Sequence, residues 1–256
     1  MTQPSYDFSE RVVVVTGGTR GVGAEIVRSF NDAGAHVVTC GRHEAEVEGA
    51  LFMSADVRKP ADAEKVVAKA VEHFGRLDVL VNNAGGAPQA MAADMSPRFV
   101  EAVINLNLLA PLWCAQSAHK VMAVQEDGGC IVNVSSVSGL RPSPGASAYG
   151  AAKAGLINLT TTLAVEWAPL VRINCVSAGL LDTGAGDEFY GGPEGMARMA
   201  ATVPLGRMGT PADVAEACLW LASPGSSYVS GANLVLHGGG EWPAFLRAAG
   251  DAGPSA

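Results

Sequence analysis

At 256 residues, with 48% apolar and only 16% charged side chains, the chain fits one large domain with its own core, and extensive disorder is excluded. Its formal net charge is −8 and no basic stripe interrupts it, which excludes a nucleic-acid binder that tracks phosphates. So low a charge fraction leaves little polar cover for a lone subunit, and points to buried interfaces between copies.

In chain order, Val12-Val13-Val14-Val15 is a short continuous β-branched run, the mark of a strand buried on both faces of a parallel sheet. A glycine-rich turn leads to Ala24–Ala33 at helical spacing, stopped by Gly34. Val37–Cys40 is a second strand, and Leu51–Met53 a third whose run ends at Asp56. Pro60–Phe74 reads as an amphipathic helix ending at Gly75, and Leu77–Val81 as a fourth strand. Ser96-Pro97 is a helix-start signature opening one long helix towards Val124. Cys130–Val134 is a fifth strand, followed by a helix around Tyr149 that runs to about Trp167. Val171–Val176 is a sixth strand, Thr210–Asp213 caps a helix through Leu221, and Leu234–Leu236 is a seventh strand. Between them, Leu180–Pro204 breaks the rhythm; Gly184, Gly186, Gly191, Gly192 and Pro193 lead us to expect an irregular lid at about 180–204. Ala248–Ala256 reads as a frayed tail. Alternating strands and helices predict an α/β fold, a doubly wound parallel seven-stranded sheet in a single domain over 1–256, its core at 11–239.

The start, Met1–Asp7, lacks the cationic-then-apolar build of a signal peptide, and no apolar run approaches the ~20 residues of a membrane span. Five widely spaced cysteines (Cys40, Cys114, Cys130, Cys175, Cys218) read as reduced core residues, so a cytoplasmic location is expected. The five histidines show no ligand spacing, and no metal site is expected.

Three stretches carry chemistry. Thr16-Gly17-Gly18-Thr19-Arg20-Gly21-Val22-Gly23 joins the first strand to the first helix, where glycines let backbone approach a pyrophosphate lying at a helix N-terminus. Its spacing is G-x-x-x-G-x-G, not the commoner G-x-G-x-x-G. Asn82-Asn83-Ala84-Gly85 follows the fourth strand. Tyr149 and Lys153 are one helical turn apart, so phenol and ammonium share one face. A nearby cation favours the phenolate, so the spacing predicts a Tyr149 hydroxyl made more acidic and able to exchange a proton with an alcohol oxygen.

With these three motifs, the chain resembles the short-chain dehydrogenase/reductase family over roughly Arg11–Gly239. The resemblance implies a Rossmann-type sheet that binds a nicotinamide dinucleotide through Gly17, Thr19, Arg20, Gly21, Val22 and Gly23. It implies Ser136 as the residue that polarises the substrate carbonyl, with Ser135 and Ser138 as nearby alternatives, and Tyr149 as the proton donor. Lys153 would tune Tyr149 and bond the nicotinamide ribose. Asn107, with Asn105 close by, matches the asparagine that holds a water in a proton relay. Asn83, Ala84 and Gly85 would line the cofactor, Asp56 and Val57 would contact adenine, Gly179 would belong to the cofactor site, and Thr183 would bond the carboxamide. Gly41-Arg42 stands where NAD-using members carry aspartate; with Arg20 it favours NADP(H) over NAD(H). Two departures stand out: Ala178 where the family has proline, and His237 where it often has aspartate. The implied activity is NADP(H)-dependent interconversion of a small-molecule carbonyl and a secondary alcohol, in a homo-oligomer, tetramer or dimer. Candidate substrates are 3-oxoacyl thioesters, steroids and small cyclic ketones; Phe189, Tyr190, Met196 and Met199 favour an apolar portion. The rival is a non-catalytic NADP-binding or regulatory protein on the same fold.

Overall fold

A computed structural model describes residues 6–184, 191–248 and 250. Seven parallel strands form one sheet in the order β3-β2-β1-β4-β5-β6-β7. They are β1 (Val12–Thr16), β2 (His36–Gly41), β3 (Ala50–Ser54), β4 (Val79–Asn82), β5 (Gly129–Ser136), β6 (Val171–Ala178) and β7 (Asn233–Leu236). The helices are α1 (Gly21–Asp32), α2 (Pro60–Phe74), α3 (Pro97–Ile104), α4 (Ala110–Met122), α5 (Ser147–Glu166), α6 (Gly192–Ala200), α7 (Pro211–Ala222) and α8 (Ala244–Ala248).

The continuous valine run of β1 follows from the layering. Val12 and Val14 enter a core shared with α2, α4 and the end of α5, including Val66, Ala70, Cys114, Ala118 and Leu163. Val13 and Val15 enter the opposite core with Ile26, Val27 and Phe30 of α1 and Val214, Cys218 and Leu221 of α7. A strand covered on both sides has no polar face to alternate. β1 pairs with β2 on one flank and β4 on the other, so the chain reverses its winding there and opens a crevice at the carboxyl ends of the strands.

The structure corrects the sequence reading in four places. The long helix from Pro97 is interrupted by a π turn at Asn105–Leu109, which separates α3 from α4. The 180–204 insertion is not wholly irregular: Gly191, in a left-handed conformation (φ 80°), is the N-cap of α6, and Pro193 sits in its first turn, where no N–H is needed. Gly186, Phe189 and Tyr190 lie outside the described residues, as does most of the 248–256 tail. β5 and β6 run on to Ser136 and Ala178, which face one another in register. Lastly, Pro97–Met122 is long and apolar enough to pass as a membrane span, with mean hydropathy 1.2, which the reading by apolar runs did not register. In this fold its Cys114, Ala115, Ala118 and Met122 are buried in the core.

Candidate active site

Ser136 ends β5 and begins a 3₁₀ turn, Val137–Gly139, where its Oγ accepts from the Ser138 N–H at 3.2 Å. The alternation of a strand separates the two candidate serines. Ser135 is buried, and its hydroxyl donates to the Lys153 carbonyl at 3.1 Å, tying α5 to β5. Ser136 points the other way, towards the Tyr149 phenol, whose pKa it lowers. Two glycines make this meeting possible, Gly150 among the small residues that open the helix and Gly139, which the sequence reading passed over. A Cβ on Gly150 would lie 2.6 Å from the Ser138 carbonyl oxygen, and one on Gly139 would lie 2.7 Å from the Ala154 nitrogen. Backbone therefore docks on backbone where α5 crosses the turn. The signal was a glycine directly after Tyr149.

Lys153 is 3% exposed, and its Nζ donates to the Val134 carbonyl at 2.7 Å. The Nζ sits 5.7 Å from the centroid of the Tyr149 ring. Burial lowers its pKa to about 8. The expected acidification of Tyr149 does not follow from this arrangement. Burial raises the phenol above its ordinary value, opposed only in part by the Ser136 hydrogen bond. The reason is geometric: the ammonium stands over the ring and donates to a backbone carbonyl, and burial sets the direction of the phenol's shift.

Asn107 lies in the π turn and is fully buried. Its Oδ1 accepts from Gly86 N–H at 2.8 Å, while its Nδ2 donates to Gly86 O at 3.0 Å and Val103 O at 2.9 Å. This doubly bonded amide pins the loop after β4, and both its N–H groups are used. Asn105 instead buries its Oδ1 with no partner among the described residues. A Cβ on Gly85 would stand 2.9 Å from Asn107 Oδ1 and 3.3 Å from Lys153 Nζ, so the absent side chain of Gly85 joins the two residues.

The glycine turn fits a dinucleotide. A Cβ on Gly23 would lie 2.2 Å from the Gly17 carbonyl oxygen, which closes the turn onto the start of α1. The N-cap of α1, Arg20, gives no side-chain hydrogen bond, and no acidic residue occupies the first turn, so the helix N-terminus is open to an anion. Thr19, Arg20 and Gly21 are exposed, whereas Gly17 and Val22 are half-buried. Asn83 donates from Nδ2 to Thr16 O at 2.9 Å and Gly17 O at 3.2 Å, and the Asn83 and Ala84 N–H groups both bond Thr16 Oγ1 at 3.0 Å. Their visible work is to lock the β4 loop against the glycine turn. Gly18 and Thr39 were missed: Thr39 Oγ1 accepts from Gly18 N–H at 3.1 Å and leaves no room for a side chain on Gly18.

At the ends of β2 and β3, Arg42, Ser54, Ala55, Asp56, Lys59 and Asp62 line a cavity of about 300 Å³. Arg42 and Arg20 make no ion pair among the described residues, and Lys59 adds a cation the sequence reading did not single out. Asp56 is held by the Arg58 fork at 2.8 and 2.6 Å, which keeps its carboxyl below the usual range. Val57 is buried in the core, so its side chain faces away from this cavity. Gly179 donates to Leu236 O at 2.8 Å, and a Cβ there would meet His237 at 2.9 Å. Thr183 and His237 are exposed. Ala178 simply continues β6, pairing with both Ser136 and Leu236.

The family model described as Enoyl-(Acyl carrier protein) reductase matches residues 17–241. L-fucose dehydrogenase of Bos taurus is 35% identical, covering 97% of this chain and 95% of its own. The 3-oxoacyl-[acyl-carrier-protein] reductase of Chlamydia muridarum is 36% identical, covering 90% and 96%. The solved aldohexose dehydrogenase of Thermoplasma acidophilum superposes with a TM-score of 0.86 at 30% identity, over 92% of this chain and 96% of that one.

Proposed function

Since the chain belongs to the short-chain dehydrogenase/reductase family of nicotinamide-dependent oxidoreductases, we propose that it is an NADP(H)-dependent enzyme interconverting a ketone and a secondary alcohol. One observation carries the reading: the Ser136 hydroxyl lies near enough to the Tyr149 phenol to lower its pKa, and the Lys153 Nζ stands over the Tyr149 ring, 5.7 Å from its centroid. The turn from Gly17 to Gly23, with Val22 packed beneath it, and the α1 N-terminus would hold the pyrophosphate. Asp56 and the Val57 backbone would border the adenine, and Gly179 and Thr183 the carboxamide. When bound, the nicotinamide supplies or accepts the hydride.

The remaining chemistry is the chain's own. A half-buried phenol with a raised pKa is protonated at neutral pH, so Tyr149 holds the proton that reduction delivers to the carbonyl oxygen. Ser136 donates to that same oxygen and stabilises the charge that develops on it. Lys153 positions the ribose and returns a proton to Tyr149, and Asn107 keeps the Gly86 loop in place for that relay. Tyr149→Phe should lower turnover about 10³-fold, with NADPH binding retained in a fluorescence titration. A wild-type rate would overturn the assignment. NADPH binding with no reduction across a carbonyl panel would instead favour the non-catalytic rival.

The preference for NADP(H) rests on Arg20 in the glycine turn and on Arg42 and Lys59 at the cavity beyond β2 and β3, since guanidinium–phosphate pairs are the strong kind. Arg42→Ala should raise the KM for NADPH roughly 10- to 100-fold, equivalent to about 1.4–2.7 kcal/mol, and leave that for NADH nearly unchanged. Equal kcat/KM for NADH and NADPH in the wild type would refute the preference.

A further inference from the structure

A second cavity, of about 430 Å³, lies among Arg141, Leu180, Met199, Thr202, Glu241 and Trp242. Sheet register explains where these residues come from. Ser136, Ala178 and Leu236 are neighbours across β5, β6 and β7, and the chain leaving each strand supplies one wall. Arg141 follows Ser136, with its N–H on Val137 O at 3.0 Å. Leu180 follows Ala178, and Met199 and Thr202 belong to the insertion at the end of α6. Glu241 and Trp242 lie on the arm that leaves β7. The cavity thus opens at the same sheet edge as Ser136, where open α/β sheets place their ligands.

The arm is fastened to both other walls. Trp242 N–H donates to Thr202 O at 3.0 Å, and Leu205 N–H to Gly238 O at 3.1 Å. On the other side, Glu241 forms an ion pair with Arg141. The Arg141 guanidinium is also anchored on its own loop, donating to Pro142 O at 3.2 Å and Ser143 Oγ at 3.3 Å. It would therefore stay at the wall if the carboxylate were removed. With Glu241 present, the one cation among the described wall residues is cancelled, and the rest is Leu180, Met199, Thr202, Ala244 and Trp242.

We propose that this cavity seats the part of the substrate remote from its carbonyl, that it takes a compact, apolar, uncharged group against Trp242, and that the Arg141–Glu241 pair sets selection against anionic substrates. This rests on the carbonyl-reductase reading. About 430 Å³ is at the small end of ligand pockets, room for one or two rings.

The test uses methyl 4-acetylbenzoate and 4-acetylbenzoate, one shape in a neutral and an anionic form. Their binding to the full chain is measured by calorimetry with and without NADPH, and their reduction is scored separately. The wild type should bind the ester at least tenfold more tightly than the acid. Glu241→Gln should shift that ratio at least tenfold towards the acid, and Arg141→Gln with Glu241→Gln should restore it. Trp242→Ala should weaken the ester at least tenfold, an arm independent of the ion pair. An unchanged ratio in a Glu241→Gln protein with a native melting curve overturns the proposal, and so does failure of both probes to bind the wild type at millimolar concentration. Selective binding without reduction would sink the carbonyl-reductase reading and leave the seat standing. Reduction with no change in ratio would do the reverse.

Discussion

Lys153 carries a cost that can be read in solution. Its pKa of about 8 in the folded chain lies below the ordinary 10.5, because burial disfavours the ammonium. Below pH 8 both folded and unfolded chains hold that proton, and the desolvation penalty is fully present. Between about 8 and 10.5 the unfolded chain holds the proton and the folded one releases it, so stability rises with pH. Denaturant unfolding of the wild type should therefore gain on that of Lys153→Met from pH 7 to 10, by on the order of 3 kcal/mol at most. A difference that stays flat with pH would show that the amine is solvated. The same residue marks the limit of sequence reading. The spacing of Tyr149 and Lys153 correctly put them on one face, yet the direction of the tyrosine shift came out opposite. Spacing says which groups are near, but desolvation depends on everything packed over them, and here burial sets the direction. Gly85 is a parallel case. Its motif was legible, but that its missing Cβ would stand against both Asn107 and Lys153 follows from three distant segments meeting. Gly85→Ala should lower kcat/KM about 10²-fold, the usual size of effect for a misplaced reacting group, as measured by steady-state kinetics; activity within twofold of wild type would show that the neighbours yield.

Among the elements, the strands and the helices α2 and α7 were written plainly in the chain. α2 spans Pro60–Phe74 as expected, with Gly75 at φ 77° ending it, and α7 opens on a Thr210–Asp213 capping box. Such local signals survive because their physics is local. The π turn was not visible, since the apolar spacing runs unbroken from Phe99 to Met122 and the interruption answers to Asn107 bonding Gly86, a partner far away in sequence. Helix α6 was hidden for another reason: its glycines and proline, read as breakers, lie at its start, where both are tolerated. The docking of α5 on the Val137–Gly139 turn is likewise a tertiary fact carried by two small residues. Gly150→Ala would drive a methyl against the Ser138 carbonyl oxygen and lift α5 off the turn. Because Tyr149 is the adjacent residue and Ser136 begins the turn, kcat should fall about 10²-fold while the NADPH dissociation constant stays within a few-fold. Equal losses in both would place the damage in the fold at large.

The whole molecule leaves apolar surface that its own chain does not cover. In the stretch Pro97–Met122 only 33% of the most apolar window is buried, although its mean hydropathy is 1.2. Val165 near the end of α5 is 80% exposed and Leu170 45%, while Trp220 and Tyr228 open to solvent near the β7 edge. Exposed apolar side chains on a protein with so few charges are what contact between copies would cover, and second copies of this chain are the occupants we propose, in a dimer or tetramer. Apolar contacts of this kind depend little on ionic strength and weaken on cooling. Sedimentation velocity at micromolar concentration should therefore give two or four times the 26.1 kDa of one chain, unchanged on raising salt and falling first in the cold. A species of one chain mass under all conditions would remove the assembly, and would leave the site untouched, since every group placed in it here comes from a single chain.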